Sequence, residues 1–424
     1  MIQKVLIANR GEIAVRIIRT CRIFGIRTVV TYSKCDKDTL AVFLADEAIC
    51  IGGNSPSESY LNIPAILEAA KKTGCDSLHP GYGFLSENDE FAKRVEECGI
   101  IFIGPSGSVL EKTANKFLMK GIAEKLEIPV IPSANKDEYP LMIKSSFGGG
   151  GKGIKIVKNR DDFDHCLKSA KLNLSSGFSG DDFFLERIID LYKHIDIQFV
   201  ADKFGKISIL PARDCSVQSH YQKVIEETPV SSIPKKLLEK MEQDATKLVA
   251  KVGFDNVGTV EFLVDKQMNY YFLEINSRLQ VEHTITEEVT DIDLVEQQIR
   301  IASGEKCHLP TKVGARKCAI ECRLSATNTG ELNIFDLPTG KDVRIDSYIY
   351  QGYHLKPYYD PLIAKIIVSD KERQRAISKM KFALDETIIL GAHTNVDELF
   401  ETISQEDYMT GKYSYFGDDD QWTS

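Results

Sequence analysis

Residues 4–33, "KVLIANRGEIAVRIIRTCRIFGIRTVVTYS", place an amphipathic helix between two buried strands. The runs "KVLIAN" and "RTVVTYS" are short and apolar, which is typical of buried strands. Between them, "GEIAVRIIRTCRIFG" repeats its apolar residues at helical spacing and ends near Gly25. A strand, a helix and a further strand in this order predict a parallel sheet covered by helices.

The alternation continues through "EAICIG", "IPAILEAAKKTG", "NDEFAKRVEECG" and "IIFIGP". It predicts an N-terminal parallel-sheet domain that resembles a dinucleotide-binding fold. The first strand runs into "ANRGEI", which lacks the G-x-G-x-x-G fingerprint, so a nicotinamide dehydrogenase is disfavoured. From about Phe184 onward, long strands and hairpins are expected, so the whole chain is predicted to be a mixed α/β fold.

Size and charge restrict the class of protein. With 424 residues, of which 43% are hydrophobic and 27% charged, the chain can bury a large core in two or three domains. The net charge of −9 argues against broad binding to nucleic acid or to an anionic membrane. No apolar run approaches the roughly 18 residues of a membrane helix, and the N-terminus lacks a signal-peptide pattern. The ten cysteines form no C-x-x-C pair, so a reducing, cytoplasmic location is expected.

A glycine run follows the strand "YPLMIKSS". Gly148, Gly149, Gly150, Gly151, Lys152 and Gly153 form a backbone that can close over phosphate oxygens, although such a run is equally typical of a flexible hairpin tip. Lys144 lies inside the preceding apolar strand and needs either an internal carboxylate or a ligand phosphate as its partner. Lys116 could be a further phosphate ligand or a surface lysine on a helix.

The segment "TVEFLVDKQMNYYFLEIN" predicts two antiparallel strands that turn near residues 266–269. This pairing would bring Glu261 close to Glu274, and buried carboxylates repel each other unless a cation neutralises them. Oxygen ligands of this kind suit magnesium.

In "LEINSRLQVEHT", residues 273–284, polar residues recur at every second position: Glu274, Asn276, Arg278, Gln280 and Glu282. In an extended strand these side chains would share one face. A half-buried strand with a solvated polar face is the simpler interpretation. However, a solvated face does not require this mixture of metal-binding acids, an amide and an anion-binding guanidinium.

Together these motifs resemble the ATP-grasp enzymes and, within them, biotin carboxylase, the ATP-dependent component of acetyl-CoA carboxylase, pyruvate carboxylase and their relatives. The resemblance runs through "IANRGEIAVRIIR", "HPGYGFLSEN", "GGGGKG", "RDCSVQ", "QKVIEE", "EINSRLQVEH", "IECR" and "GYHLKPYYDPLIAK". It covers nearly the whole chain. The implied architecture is an N-terminal domain (1–113), an ATP-grasp domain (114–310) with a mobile lid at about 130–188, and a C-terminal mixed domain (311–424).

The resemblance also implies roles for individual residues. Implied nucleotide contacts are Lys116, Lys144, Gly148, Gly149, Gly150, Gly151, Lys152, Gly153, Glu186, Arg187, Ile189, His194, Gln218, Tyr221 and Leu263. Mg²⁺, with Mn²⁺ as an alternative ion, would be held by Glu261, Glu274 and Asn276. The implied substrate pocket comprises Lys223, Arg278, Gln280 and Val281 for bicarbonate, with Tyr82 and Arg344. Lys223, Arg278, Glu282 and Arg344 would be catalytic, with Glu282 as general base and Arg344 steadying a biotin enolate.

The implied reaction is ATP- and bicarbonate-dependent carboxylation of biotin through carboxyphosphate. The biotin would be carried by a separate biotin carboxyl carrier protein, and carboxyltransferase subunits would complete the system, because the chain lacks an "MKM" attachment motif. The resemblance also implies a homodimer through the helix associated with Arg10, Arg16 and Arg19, although their spacing alone is also typical of a solvated face.

Two departures from the family pattern bear on function. Tyr221 stands where the family has histidine, and Ala212 stands where it has an acidic residue. Two alternative functions remain at this point: an ATP-grasp ligase with another amide or amine acceptor, and a nucleotide-sensing subunit with a degraded site. The presence of Lys223, Glu261, Glu274, Arg278 and Glu282 together argues against the degraded site.

Overall fold

A computed structural model describes residues 2–145, 154–173 and 183–415. The glycine run predicted to contact phosphate lies outside the described residues: Gly148, Gly149, Gly150, Gly151, Lys152 and Gly153. The described chain is a mixed α/β fold, as the sequence predicts.

The N-terminal region forms a parallel sheet with helices packed against it. Its strands are β1 (Lys4–Ile7), β2 (Arg27–Ser33), β3 (Glu47–Gly52), β4 (Ser77–His79) and β5 (Ile101–Phe102), in the order β3-β2-β1-β4-β5. The connecting helices are α1 (Gly11–Ile23), α2 (Leu40–Leu44), α3 (Ile63–Thr73) and α4 (Asp89–Glu97). The predicted alternation of strand and helix is therefore confirmed.

Two short helices follow, α5 (Gly107–Ala114) and α6 (Lys116–Lys125). The break lies at Asn115, whose ψ of 95° leaves the helical region. Its side chain accepts a hydrogen bond from the amide of Leu118 at 2.9 Å and so caps α6. The cap fixes Lys116 at the first position of the new helix.

A small antiparallel sheet consists of β6 (Leu141–Ser145), β7 (Ile154–Val157) and β8 (Phe183–Arg187), in the order β7-β6-β8, with α7 (Phe163–Asn173) packed on it. Leu141, Ile143 and Val157 form its core. Lys144 projects from the central strand of this sheet.

A long, nine-stranded sheet contains most of the strands between residues 191 and 370. Its first six strands along the chain are β9 (Leu191–Ala201), β10 (Ile207–Ile209), β11 (Arg213–Ser219), β12 (Gln222–Thr228), β13 (Asn256–Asp265) and β14 (Tyr270–Asn276). They are joined by β15 (Cys318–Ser325), β18 (Val343–Ser347) and β20 (Leu362–Asp370), giving the order β14-β13-β9-β11-β12-β15-β20-β18, with β10 beside β9. The sheet thus includes strands from both sides of residue 310, the predicted end of the ATP-grasp domain.

Helices cover the long sheet, and small hairpins flank it. The helices are α8 (Lys235–Val252), α9 (His283–Thr290), α10 (Leu294–Ala302), α11 (Arg373–Asp385), α12 (Val396–Ser404) and α13 (Glu406–Thr410). The remaining strands pair as β16 (Gly330–Glu331) with β19 (His354–Leu355), and β17 (Ile334–Asp336) with β21 (Ile388–Leu390). None of the helices in the described ranges combines the length and apolar character needed to span a bilayer.

Alternation along the strands gives the long sheet two different faces. Ile195, Ile197 and Phe262 point to one side, where α8 packs on them through Met241 and Leu248. Burying each such side chain contributes about 1.5–3 kcal/mol to folding. The opposite side carries charged residues, and it is described below.

The structure corrects the prediction of an extended strand through residues 273–284. β14 ends at Asn276, and α9 begins at His283 with Glu282 at its N-cap position. Only Glu274 and Asn276 therefore share a strand face. Tertiary contacts override the period-two pattern here, since the amide of Ser277 donates to Glu87 at 3.3 Å instead of continuing the strand ladder.

Of the two interpretations of the α1 arginines, a solvated face does not apply to Arg16. Its guanidinium pairs with Glu287 at 2.7 Å and Asp293 at 2.8 Å, and its side chain is only 9% exposed. Arg19 is about half exposed and lies 3.4 Å from Asp346.

Candidate active site

A set of charged side chains occupies the polar side of the long sheet, which we call the charged face: Asp196, Arg213, Lys223, Glu261 and Glu274. Strand pairing places them side by side, since Asp196 lies opposite both Arg213 and Glu261, and Glu261 lies opposite Glu274. Cross-strand partners share a face, so their side chains project together. The predicted pairing of Glu261 with Glu274 is confirmed.

Lys223 stands at the centre of the charged face. Its Nζ lies 2.8 Å from Asp196, 2.9 Å from Glu261 and 2.8 Å from Glu282. Burial lowers the pKa of Lys223, but the carboxylate of Asp196 and its neighbours outweigh burial and hold that pKa well above its usual value. Lys223 is therefore a permanent cation that holds like-charged carboxylates together.

Lys223 is delivered by the β11–β12 hairpin. Gln218 pairs with Lys223 and Ser219 with Gln222, so the turn consists of His220 and Tyr221. Both turn residues have positive φ, 50° and 60°, as type I′ hairpin turns require. Tyr221, a predicted nucleotide contact, is 36% exposed at this tip.

Glu282 is held by two cations. Its Oε1 faces Lys223, and its Oε2 accepts from Arg323 on β15 at 2.9 Å. Burial raises the pKa of Glu282, but Lys223 and Arg323 outweigh burial and hold that pKa well below its usual value. The side chain is 2% exposed, and the lowered pKa favours its ionised form, which can accept a proton.

Glu261 accepts hydrogen bonds from two side-chain amides of the site. Its Oε1 accepts from Asn276 Nδ2 and from Gln280 Nε2, each at 2.7 Å, in addition to Lys223. Its Oε2 lies 2.9 Å from His194 Nε2. Burial raises the pKa of Glu261, but Lys223 and His194 outweigh burial and lower it. Gln280 and Asn276 thus converge on Glu261 although only Asn276 lies on the strand.

Glu274 has a different cationic partner. The Nζ of Lys116 lies 2.8 Å from its Oε2. From the sequence, Lys116 could be either a phosphate ligand or a surface lysine. In the structure it lies against the charged face, and its side chain is 26% exposed.

Lys144 has an internal carboxylate as its partner. Its Nζ lies 2.7 Å from Glu186 Oε2, and the Nζ of Lys120 lies 2.8 Å from Oε1. Each carboxylate oxygen of Glu186 thus contacts a lysine ammonium. Arg187 points outward, 57% exposed, to Glu138 at 3.2 Å, and Ile189 is partly buried between β8 and β9.

His194 and Gln218 lie beside Glu261. Gln218 Nε2 is 3.0 Å from His194 Nδ1, and Leu263 pairs with His194 across β9 and β13. Burial lowers the pKa of His194, but Glu261 outweighs burial and raises it. These predicted nucleotide contacts form one continuous patch.

Arg278 links the charged face to the N-terminal region. Its Nε donates to Glu87 at 3.0 Å and its Nη2 to Asn276 Oδ1 at 3.1 Å. The carbonyl of Val281 accepts from Lys365 at 2.8 Å, and the hydroxyl of Tyr82 bonds Glu12. Lys365 also lies 3.1 Å from Glu12, so Tyr82 and Val281 flank one buried ion pair.

Arg344 belongs to a neighbouring cluster. Its guanidinium pairs with Asp346 at 2.8 Å and with Glu287 at 2.9 Å. Glu287 is on α9, the helix that Glu282 begins, so the two clusters share this helix. The structure thus brings five of the predicted site residues into one contact network: Lys223, Glu261, Asn276, Gln280 and Glu282. Arg344 lies outside this network and contacts Glu287 of α9.

Three residues of the site, Asp196, Arg213 and Arg323, were not predicted from the sequence. Asp196 follows His194 by two positions in "KHIDIQ", and this spacing within a buried strand was the available signal. Arg213 is fully buried. Its Nη1 donates to Gln198 Oε1 at 2.6 Å and its Nη2 donates to Asp196 Oδ2 at 3.3 Å. Arg323 lies in "IECR", but only its contact with Glu282, a residue 41 positions away, reveals its role.

Two histidines outside this set have structural roles. His79 Nδ1 accepts from the amide of Gly81 at 3.0 Å and orients the turn after β4. His283 Nδ1 lies 2.8 Å from the carbonyl oxygen of Gln280 and holds the start of α9. Burial lowers the pKa of both imidazoles, to about 3 for His79.

The donor set of the charged face suits magnesium. Glu261, Glu274 and Asn276 offer carboxylate and amide oxygens from adjacent strands. Each carboxylate now contacts a lysine, which shows that the local field favours cations. Hard oxygen ligands with room for water and phosphate are what Mg²⁺ prefers.

Comparison with known proteins agrees with this geometry. Residues 1–110 match the family described as biotin carboxylase, N-terminal domain, and residues 321–415 match biotin carboxylase C-terminal domain. Residues 109–309 match the ATP binding domain of the carbamoyl-phosphate synthase L chain.

Individual relatives cover nearly the whole chain. Biotin carboxylase 1 of Bacillus subtilis is 40% identical over 438 residues, covering 98% of this chain and 97% of that protein. A biotin carboxylase from Campylobacter jejuni, solved as a β-γ-ATP complex, superposes with a TM-score of 0.94 at 37% identity and covers 98% of each chain. The biotin carboxylase domain dimer of Hydrogenobacter thermophilus 2-oxoglutarate carboxylase, solved with MgADP, ADP and bicarbonate, has a TM-score of 0.94 at 36% identity. That match covers 98% of this chain and 96% of the other.

Proposed function

This chain belongs to the biotin carboxylase family, and we propose that it carboxylates biotin with ATP and bicarbonate through carboxyphosphate. One observation carries the proposal: Lys223 lies within 2.9 Å of Glu261 and Glu282 on a face that also carries Glu274. The residues proposed as anion clamp, proton acceptor and metal ligands thus lie on one face.

Bicarbonate would bind between Lys223 and Arg278. Both side chains are cations with hydrogen-bond donors, and both keep some access to solvent, 11% and 22% exposed. An anion placed there replaces some of the carboxylate contacts of Lys223. Gln280 and the backbone of Val281 would complete the pocket.

Glu282 would take the bicarbonate proton. In the absence of bicarbonate, its strongly lowered pKa makes it a weak base. When bicarbonate takes hydrogen bonds from Lys223, Glu282 loses part of the interaction that stabilises its charge, and its pKa rises. Binding of the substrate would therefore strengthen the base at the moment it is needed.

The deprotonated oxygen would then attack the γ-phosphorus of ATP. A new oxygen–phosphorus bond forms, the bond to the β–γ bridging oxygen breaks, and ADP leaves. Lys116 and Lys144 would hold phosphate oxygens, which requires each to exchange its carboxylate partner for phosphate. His194, Gln218 and Leu263 would contact the nucleotide, as would Glu186, Arg187, Ile189 and Tyr221.

Glu261, Glu274 and Asn276 would hold Mg²⁺. Bound there, the ion supplies positive charge to the transferring phosphoryl group. Mn²⁺, which also accepts carboxylate oxygens, would serve as an alternative ion.

Carboxyphosphate would break its carbon–oxygen bond to give carbon dioxide and phosphate. The phosphate takes the proton of the biotin ureido nitrogen, which then attacks carbon dioxide. Arg344 would stabilise the negative charge on the ureido oxygen, and to do so it must leave Glu287 or Asp346. Arg344 thus has a proposed role that its present contacts would oppose.

We further propose that biotin arrives on a biotin carboxyl carrier protein, that carboxyltransferase subunits use the product, and that the protein is a cytoplasmic homodimer. The dimeric H. thermophilus domain supports the homodimer. We also propose domain boundaries at 1–113, 114–310 and 311–424, with a lid at about 130–188; the family matches to residues 1–110, 109–309 and 321–415 support three domains in this order.

Phosphate release measured with ATP, Mg²⁺ and bicarbonate tests the function. Free biotin or biotinylated carrier protein should stimulate release and yield carboxybiotin. Release that depends on bicarbonate but ignores biotin would instead favour another amide or amine acceptor. Absence of any bicarbonate dependence would refute the proposed chemistry.

A further inference from the structure

The C-terminal segment reaches back to the nucleotide patch. After α13 the chain turns at Gly411, whose φ is 75°, and runs beside the start of β9. The amide of Tyr415 donates to the carbonyl of Tyr192 at 2.7 Å. The ammonium of Lys193 lies 3.1 Å from the centre of the Tyr413 ring. These contacts fix the position of Tyr415.

The hydroxyl of Tyr415 lies 3.1 Å from Gln218 Oε1. Gln218 Nε2 lies 2.9 Å from the carbonyl of Cys215 and 3.0 Å from His194 Nδ1. A carbonyl only accepts hydrogen bonds, so the Gln218 nitrogen must face Cys215. The Gln218 oxygen then faces Tyr415, and the hydroxyl donates to it.

This arrangement gives both N–H groups and the oxygen of the Gln218 carboxamide a partner. One N–H bonds Cys215, the other bonds His194, and the oxygen accepts from Tyr415. The side chain is 8% exposed, so water is a poor substitute for any of these partners. Loss of one partner leaves a buried polar atom without its hydrogen bond, which is unfavourable.

We infer that Tyr415 is a positioning residue of the nucleotide site, which it orders by holding Gln218 against His194. The inference rests on the proposed function, because it takes Gln218 and His194 to be nucleotide contacts. Without the Tyr415 hydroxyl, the carboxamide loses one of the three hydrogen bonds that fix its orientation and is held less firmly, and binding of a nucleotide must then restrict it further. The C-terminal segment would thus complete a site built by strands more than 190 positions earlier in the chain.

The test is binding of MgADP to the full-length protein, measured by titration calorimetry. Tyr415→Phe removes only the hydroxyl, and it should raise the Kd about three- to tenfold, as expected for one hydrogen bond. Gln218→Ala should also weaken binding. In the Gln218→Ala background, Tyr415→Phe should have no further effect, because the hydroxyl acts through Gln218.

Tyr408→Phe is the matched control. It removes another buried tyrosine hydroxyl of the C-terminal region, one that bonds Glu227 at 3.2 Å, away from Gln218. This variant should bind MgADP like the wild type. An equal loss of affinity in Tyr408→Phe would mean general loosening and would overturn the inference.

The remaining outcomes separate the inference from the proposed function. If Gln218→Ala weakens binding and Tyr415→Phe does not, or if the two effects simply add, the inference fails and the proposed site stands. If Gln218→Ala binds normally, both the nucleotide role of Gln218 and the inference are wrong.

Discussion

The carboxylate of Glu282 and the ammonium of Lys223 are 2.8 Å apart, Oε1 to Nζ, although the residues come from a helix start and a hairpin. This contact joins the proposed base to the proposed anion clamp. It also explains why the base stays ionised while buried.

Replacing Glu282 with Gln should remove the proton acceptor and retain the shape. We expect bicarbonate-dependent phosphate release to fall about 100-fold or more, the usual contribution of a general base. The affinity for MgADP, measured by calorimetry, should stay within about twofold because the proposed nucleotide patch is untouched. Asp291→Asn, at an exposed carboxylate near the end of α9, is the control and should keep full turnover. A Glu282→Gln variant with more than half the wild-type rate would exclude Glu282 as the base.

Replacing Lys223 with Met should destabilise the fold. The change leaves Asp196, Glu261 and Glu282 buried without their shared cation, and breaking such a buried pair costs about 3–5 kcal/mol. Urea unfolding should show this loss at pH 8. In the wild type, Glu282 has a lowered pKa and therefore stabilises the folded state at pH values above the pKa that it has in the unfolded chain. In the variant, the buried carboxylates take up protons as the pH falls. The difference in unfolding free energy between wild type and variant should therefore shrink toward pH 5.

Lys247→Met is the control for that experiment. Lys247 pairs with Asp244 but is 55% exposed, so its loss should cost less than about 1 kcal/mol. A Lys223→Met variant no less stable than this control would contradict the assigned network.

Glu321 should make stability fall as pH rises. It lies opposite Glu226 on β15 and β12, and burial raises the pKa of Glu321 to about 8 and that of Glu226 to about 7. The folded state therefore binds more protons than the unfolded state between about pH 4.5 and pH 8, so unfolding free energy decreases across this window. The slope contributed by Glu321 is at most about 1.4 kcal/mol per pH unit.

Glu321→Gln should remove this contribution and flatten the pH profile between pH 5 and pH 8. Urea unfolding across that range measures it, with the exposed-site variant Glu398→Gln as the control. Parallel profiles for wild type and Glu321→Gln would show that Glu321 is ionised in the folded protein.

Glu274→Gln should weaken the response to magnesium. Loss of one carboxylate ligand should raise the Mg²⁺ concentration for half-maximal turnover about tenfold or more, since second-shell changes alone cost 10–100-fold in metal affinity. Titration of activity with Mg²⁺ after chelation measures the effect. An unchanged Mg²⁺ requirement would remove Glu274 from the metal site.

Local patterns sufficed for much of the fold and part of the site. The alternation of strand and helix through residues 4–33 predicted the parallel sheet, and the hairpin around residues 266–269 predicted the pairing of Glu261 with Glu274. Both depend on nearby residues, whose propensities and spacing are readable in the sequence.

The remaining features depend on distant contacts. A strict period of two suggested a strand through Glu282, but Glu87, about 190 positions away, bonds Ser277 and Arg278 where the strand ends. Arg323 and Tyr415 acquire their roles from partners that are distant in the sequence, Glu282 and Gln218. No local pattern encodes those partners, so the sequence alone could not identify these residues.

The most direct test of the central claim follows oxygen from bicarbonate to phosphate. With ¹⁸O-labelled bicarbonate and unlabelled water, attack on the γ-phosphorus leaves one bicarbonate oxygen on each phosphate after carboxyphosphate breaks down. Mass spectrometry of the phosphate released by the wild-type enzyme with biotin should therefore show one ¹⁸O atom per phosphate. Phosphate without label would mean that water attacks ATP, and the site assembled around Lys223 and Glu282 would not activate bicarbonate.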